Sequence, residues 1–224
     1  MLKTIRESLR NHYRLTKEML FPTEAELQKL QKEDFAKKTI QYTFILLGLY
    51  VLLNISIYLL NYKDMQVLNE MLRKTLEKQP TSKIHHIFSI YPYNIVYILI
   101  SLFAFEVYMI LASYLFLYLF GEKNRNIKTN TVFSIYSNTY ILLSIFLIFL
   151  TNTFYPITDE PTKLRLAILL GLWIFYLLWG IYYSGKYYYR LTKDVFEQNR
   201  NIILLSWNLP FLFLGIYMYL ALSS

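Results

Sequence analysis

Apolar residues along this chain come in blocks rather than stripes. Five windows, 39–61, 94–120, 132–150, 164–183 and 202–222, each supply about twenty mostly uncharged residues. A helix rises about 1.5 Å per residue, so a window of that length covers a hydrocarbon core ~30 Å thick. Only helices and closed barrels satisfy every backbone polar group in lipid, and no period-two alternation marks a barrel. The pattern predicts an all-α fold: a polytopic membrane protein, a bundle of five transmembrane helices with an amphipathic N-terminal helix.

Ahead of the first window the pattern changes to helical spacing. Leu2, Ile5, Leu9, Tyr13 and Leu20 recur on one side, while Lys3, Arg6, Arg10, Arg14 and Lys17 follow on neighbouring positions. Such a helix suits an anionic cytoplasmic leaflet, which makes those five cations candidate membrane-surface contacts. A helix packed on the protein's own loops fits the pattern equally well. After Phe21-Pro22 the string TEAE sets up a capping box, Thr23 with Glu26, and a second helix is expected to run on into the first span. The simplest division is a cytoplasmic basic arm, 1–38, and a five-helix transmembrane domain, 39–224. A short surface helix is expected in the 62–91 loop, from MQVLNEMLRKTLEK up to Gln79-Pro80.

Composition agrees with insertion: 55% of residues are apolar and mean hydropathy is +0.31. The first 38 residues carry 15 charges and no apolar core of their own, so no cleavable signal peptide is expected. The net charge of +8 raises nucleic acid as a partner, but its distribution points elsewhere. Sixteen Lys and Arg fall in the arm and the 121–131 and 184–201 loops, against seven on the other side. The positive-inside rule then places the N-terminus in the cytoplasm and the C-terminus outside. The expected partners are the lipid bilayer, anionic lipid headgroups and a membrane-protein partner or second copy, with no nucleic acid.

Candidate chemistry is sparse. Cysteine is absent, which removes disulfides, thiolate nucleophiles and cysteine zinc sites together. His85 and His86 are adjacent and point to different faces, without a third ligand at zinc spacing. GIYYSG lacks the spacing of a serine elbow, and no phosphate loop or metalloprotease motif occurs. No catalytic residue, metal or cofactor is therefore expected. The tyrosines of IYYSGKYYYR read as an aromatic belt at a membrane end.

Glu106 stands out, near the middle of the 94–120 block. A central acid costs about 2.5–3.5 kcal/mol, whereas each Leu, Ile, Phe or Val contributes roughly 0.3–0.6 in favour. Sixteen such residues fill the block, so insertion survives the charge. Lipid offers a carboxylate nothing, hence Glu106 should face other helices. Ser113 on its own helix, Ser134, Ser137 and Asn138 on the third span, Asn54 on the first and Asn208 on the fifth are its candidate company. Such groups serve as glue between helices or as a proton relay. Gly171, Gly180 and Gly215 are expected at close helix approaches, and Pro210 at a kink.

Three stretches carry a resemblance: EMLFPTEAELQKL before the first span, LFGEKNRNIKTNTVFSIYSNTYILLSIF around the third, and LGLWIFYLLWGIYYSGKYYYRLTKDVFEQNRNIILL from the fourth into the fifth. Their order resembles the YIP family of Ypt/Rab-interacting integral membrane proteins, over most of 18–222. Of that family's G-Y-x-x-x-P element Tyr136 is retained, with Ile135 and Tyr140 in place of Gly and Pro. The D-L-x-G-P element and long N-terminal region of eukaryotic members are missing, which places the resemblance on the bacterial side. The resemblance implies a bacterial cytoplasmic (inner) membrane protein. Its expected role is a non-enzymatic scaffold or accessory subunit of a membrane assembly. The alternative is a proton- or cation-coupled transporter component using Glu106.

Overall fold

The computed structural model describes residues 2–32, 34–76, 87, 90–121, 126–154 and 163–223. His85, His86 and the end of the expected loop helix at Gln79-Pro80 lie outside the described residues, as does the Lys3 side chain. The described chain is all-helical, with no strand among the described residues. Its helices are α1 (Leu2–Met19), α2 (Glu24–Lys32), α3 (Phe35–Leu60), α4 (Tyr62–Leu76), α5 (Tyr93–Phe120), α6 (Ile127–Phe154), α7 (Lys163–Thr192) and α8 (Arg200–Ser223). Five of them, α3, α5, α6, α7 and α8, are long and apolar enough to cross a bilayer. The protein is an integral membrane protein.

Helix ends follow local chemistry. Glu26 Oε2 accepts from the Thr23 amide at 2.7 Å, and the Glu26 amide donates back to Thr23 Oγ1 at 3.3 Å, the reciprocal cap that TEAE predicts. Asn126 Oδ1 caps α6 by accepting from the Lys128 and Thr129 amides at 3.0 and 3.3 Å. α2 does not run on into α3, contrary to the expectation from the pattern. Asp34 breaks it with a left-handed φ of 46°, which a short polar side chain tolerates, and its carbonyl then accepts from the Lys38 amide at 3.1 Å to start α3. α8 continues through Pro210, whose carbonyl accepts from the Tyr108 hydroxyl at 2.7 Å.

The chain divides into two compact units, one formed by Met1–Leu46 with Tyr108–Ser224 and the other by Leu47–Val107. In the second, Asn69 on α4 pairs both ways with the Tyr91 backbone, at 2.9 and 3.0 Å. The Tyr91 ring stacks on Tyr58 at 4.9 Å, and its hydroxyl donates to the Asn54 carbonyl. Burial, then the neighbouring Tyr50 and Tyr58, push the Tyr91 hydroxyl up to about 12, so it stays a donor at neutral pH.

In the first unit α6 is the most enclosed of the five long helices, packed chiefly against α7. Lipid tails are as apolar as leucine, so contact between spans depends on fit and polar bonds more than on apolar burial. Gly180 supplies the fit. A Cβ there would lie 2.7 Å from Ser144 Oγ, 2.8 Å from Ser144 Cβ and 3.1 Å from the Tyr140 carbonyl oxygen. Gly171 and Gly215, expected at similar approaches, stand in open space; Gly185, not singled out by the sequence pattern, would place a Cβ 3.2 Å from the Trp207 ring. Large apolar side chains such as Leu111, Leu115, Ile174, Leu178 and Phe213 remain exposed, as a lipid-facing surface requires.

Gly180→Ala is expected to cost about 1–3 kcal/mol and lower the unfolding midpoint in detergent, because the short Ser144 side chain and a backbone oxygen have little room to give. Gly171→Ala and Gly215→Ala are expected to stay within about 0.5 kcal/mol of the parent in the same measurement.

Candidate functional site

Two polar constellations are built on α6. The first lies where α5, α6, α7 and α8 meet, and every side chain in it is uncharged. Asn130, one turn from Ser134, is buried; its amide donates to Ser113 Oγ at 3.1 Å and to the Ile110 carbonyl at 3.3 Å, while its Oδ1 accepts from the Tyr188 hydroxyl at 2.6 Å. Ser113 and Ser134 stand 3.4 Å apart, and Ser206 flanks the Tyr188 hydroxyl. The Tyr188 ring stacks on Trp207 at 4.3 Å, and both are fully buried. Asn130 and Tyr188 thus satisfy one another: the amide joins α6 to α5 and α7, and α8 packs on Tyr188.

The second constellation holds the corner between α1 and α2. Just past the end of α1, Phe21 has a φ of 55°, an uncommon conformation for a bulky residue. The Phe21 ring sits against Tyr140, Trp179 and Tyr183 at 5.5, 5.9 and 5.3 Å. Its amide donates to the Tyr140 hydroxyl at 3.4 Å; the Tyr136 hydroxyl donates to the Met19 carbonyl at 2.8 Å and that of Tyr187 to the Pro22 carbonyl at 3.3 Å. Tyr140 and Tyr187 stack nearly parallel, 4.7 Å apart. Three tyrosines therefore satisfy the main-chain groups that a helix end leaves open. Outside the spans, the Lys193 ammonium donates to the Glu24 carboxylate, tying α2 to the end of α7. That bond, and then the lysine's charge, holds Glu24 below the usual carboxylate range; the same bond, with the carboxylate's charge, raises Lys193.

The sequence-predicted residues divide accordingly. Ser113 and Ser134 are brought together; Ser137 and Asn138 are buried farther along α6. Asn54 belongs to the second unit, where its amide donates to the Tyr50 carbonyl at 2.9 Å. Glu106, in the same unit, is half-buried with Oε1 shielded. Asn208 is exposed and closes on the Leu204 carbonyl of its own helix at 2.8 Å. Asn130 was missed because it lies just outside the uncharged window, although its spacing to Ser134 and Ser137 is helical. Of the tyrosines expected to form an aromatic belt, Tyr187 and Tyr188 are buried and Tyr183 half-buried, whereas Tyr182 is 63% exposed. The Tyr187 and Tyr188 hydroxyls turn inward because acceptors, the Pro22 carbonyl and Asn130 Oδ1, stand there.

Among the described residues no group of three His, Cys, Asp or Glu side chains stands close enough to hold a metal ion. Compared with protein-family models, curated proteins and solved structures, the chain finds no match in any of the three.

Asn130→Ala and Tyr188→Phe are each expected to cost about 0.6–2 kcal/mol, and their double mutant much less than the sum, since removing either group orphans the other. Denaturant titration of the four proteins in mixed micelles measures that coupling. The Glu24–Lys193 pair has the opposite sensitivity, to pH. Because Glu24 is depressed, the pair holds above the ordinary carboxylate value of 4.5 and is lost as pH falls through the lowered one. A spin label at Gln28→Cys, unique in a cysteine-free chain, should gain mobility as pH is lowered below the ordinary carboxylate value of 4.5, and Lys193→Gln should flatten that change.

Proposed function

We propose that this protein is a non-enzymatic integral membrane scaffold or accessory subunit of a membrane assembly, similar to the bacterial side of the YIP family. It sits in the bacterial cytoplasmic (inner) membrane, N-terminus in and C-terminus out. One observation carries the reading: the tyrosine clamp fixes the α1–α2 corner to α6 and α7, while residues 6–14 of α1 are left exposed. Leu9 and Tyr13 are 66% and 71% exposed, and Arg6, Arg10, Arg14 and Lys17 are exposed beside them. An aimed helix with a bare apolar edge and a basic face supports an amphipathic contact with an anionic leaflet, and a membrane-protein partner or second copy docking beside it. The uncharged Asn130 cluster supports a holding role for the interior.

Transport is the second reading, favoured by the shielded Oε1 of Glu106 inside a membrane-length helix.

Glu106→Gln separates the two. For a scaffold, liposomes bearing the parent or the variant hold an imposed pH gradient as empty liposomes do, and both proteins isolate the same stoichiometric membrane neighbour from their host. A gradient that collapses with the parent and persists with the variant replaces the scaffold by a proton-coupled transporter.

A further inference from the structure

A groove of about 610 Å³ opens between the start of α3, the second turn of α6 and the loop after α7. Its floor is apolar: Phe35 and Phe133 are buried and their rings meet at 6.1 Å, with Val132 and Val195 alongside. Its rim carries Lys37 and Lys128, both exposed, and neither side chain makes an ion pair or hydrogen bond among the described residues. Asp34 is on the rim as well, leaving a surplus of one positive charge.

Position gives this chemistry its meaning. Both lysines precede the points, near 39 and 132, at which the uncharged windows of α3 and α6 begin. In an inserted protein that level is the headgroup layer, where phosphodiesters meet the first methylenes of the acyl chains. Two ammoniums above an aromatic floor match that boundary in both halves. The volume is of the size that holds a small organic group, between about 300 and 1,000 Å³. A zwitterionic headgroup would bring its own cation to a rim already in cationic surplus; an anionic one brings only the phosphate.

We infer that this groove is a binding site for one anionic phospholipid, its phosphate held between Lys37 and Lys128 and its glycerol and upper chain on Phe35 and Phe133. The inference rests on the membrane-embedded part of the proposed function, not on the scaffold role, and assigns a site separate from the leaflet contact of α1. The lipid is then a bound component, retained when the bulk bilayer is removed.

The full-length protein, purified in mild detergent and offered phosphatidylglycerol or phosphatidylcholine of identical chains, tests this by native mass spectrometry. The parent should retain one phosphatidylglycerol in preference to phosphatidylcholine. Lys37→Gln with Lys128→Gln should weaken retention about 25-fold, at roughly fivefold per lysine near a lipid surface. Val195→Trp, which fills the groove from an exposed position without changing charge, should also release the lipid. Arg6→Gln, Arg10→Gln and Arg14→Gln together should leave that lipid in place while weakening attachment of α1 to anionic vesicles, so the two contacts are read separately. Equal retention of both lipids, parent-like retention by the lysine pair or by Val195→Trp, or loss through the arginine triple alone would overturn the site. So would an acidic polypeptide found in the groove in the lipid's place. The lipid-free unfolding midpoint of the lysine variant should match the parent, since neither exposed ammonium has a partner among the described residues.

Discussion

The structure of the larger unit depends on how closely α7 approaches α6 at Gly180. With no Cβ on one side and the small Ser144 on the other, the two antiparallel helices come near enough for ring and hydroxyl contacts to form over the turns that follow. Tyr183 and Tyr187 then meet Tyr140, and farther along Tyr188 meets Asn130. A wider separation would leave these hydroxyls short of their acceptors in a medium that provides no substitute. That sensitivity follows from the solvent: in lipid, burying leucine gains little, so geometry decides which helices stay together.

The polar groups divide by depth and by charge. The exposed cations of α1 and the Glu24–Lys193 pair lie outside the five membrane-length helices, where water screens them and each contributes little to stability. The Asn130 cluster uses amides and hydroxyls alone, avoiding the desolvation of an ion. Glu106 departs from that economy, which is why it remains the residue on which a transport reading turns. Ser137 and Ser184 hydroxyls have no hydrogen-bond partner among the described residues.

The long helices were legible because insertion imposes one strong requirement, an uncharged block of sufficient length, and each block shows it without reference to any other part of the chain. The TEAE cap was legible because its partners are three residues apart. Contacts between helices carry no such local signature. Gly171 and Gly180 look alike in sequence, and only the facing residue separates them: Ser144 opposite one, open space beside the other. Tyr182 and Tyr183 are neighbours with opposite fates for the same reason. Asp34 breaks α2 from α3 although the residues around it are compatible with a continuous helix. Asn208 was grouped with Glu106 by type, yet its amide is spent on its own helix.

The corner at Phe21 shows what the clamp adds beyond packing. A left-handed φ on a bulky residue costs about 1–3 kcal/mol and persists only where its surroundings over-determine it. Here they do so three times, through ring contacts, through the Phe21 amide and through the carbonyls of Met19 and Pro22. The direction in which α1 leaves the corner is therefore set by tyrosines on two membrane helices. A flexible tether would need none of them. The exit of a basic helix is thus fixed while Leu9 and Tyr13 stay bare, and Tyr187 at this end of α7 turns inward because a carbonyl of the corner stands there to accept its hydroxyl.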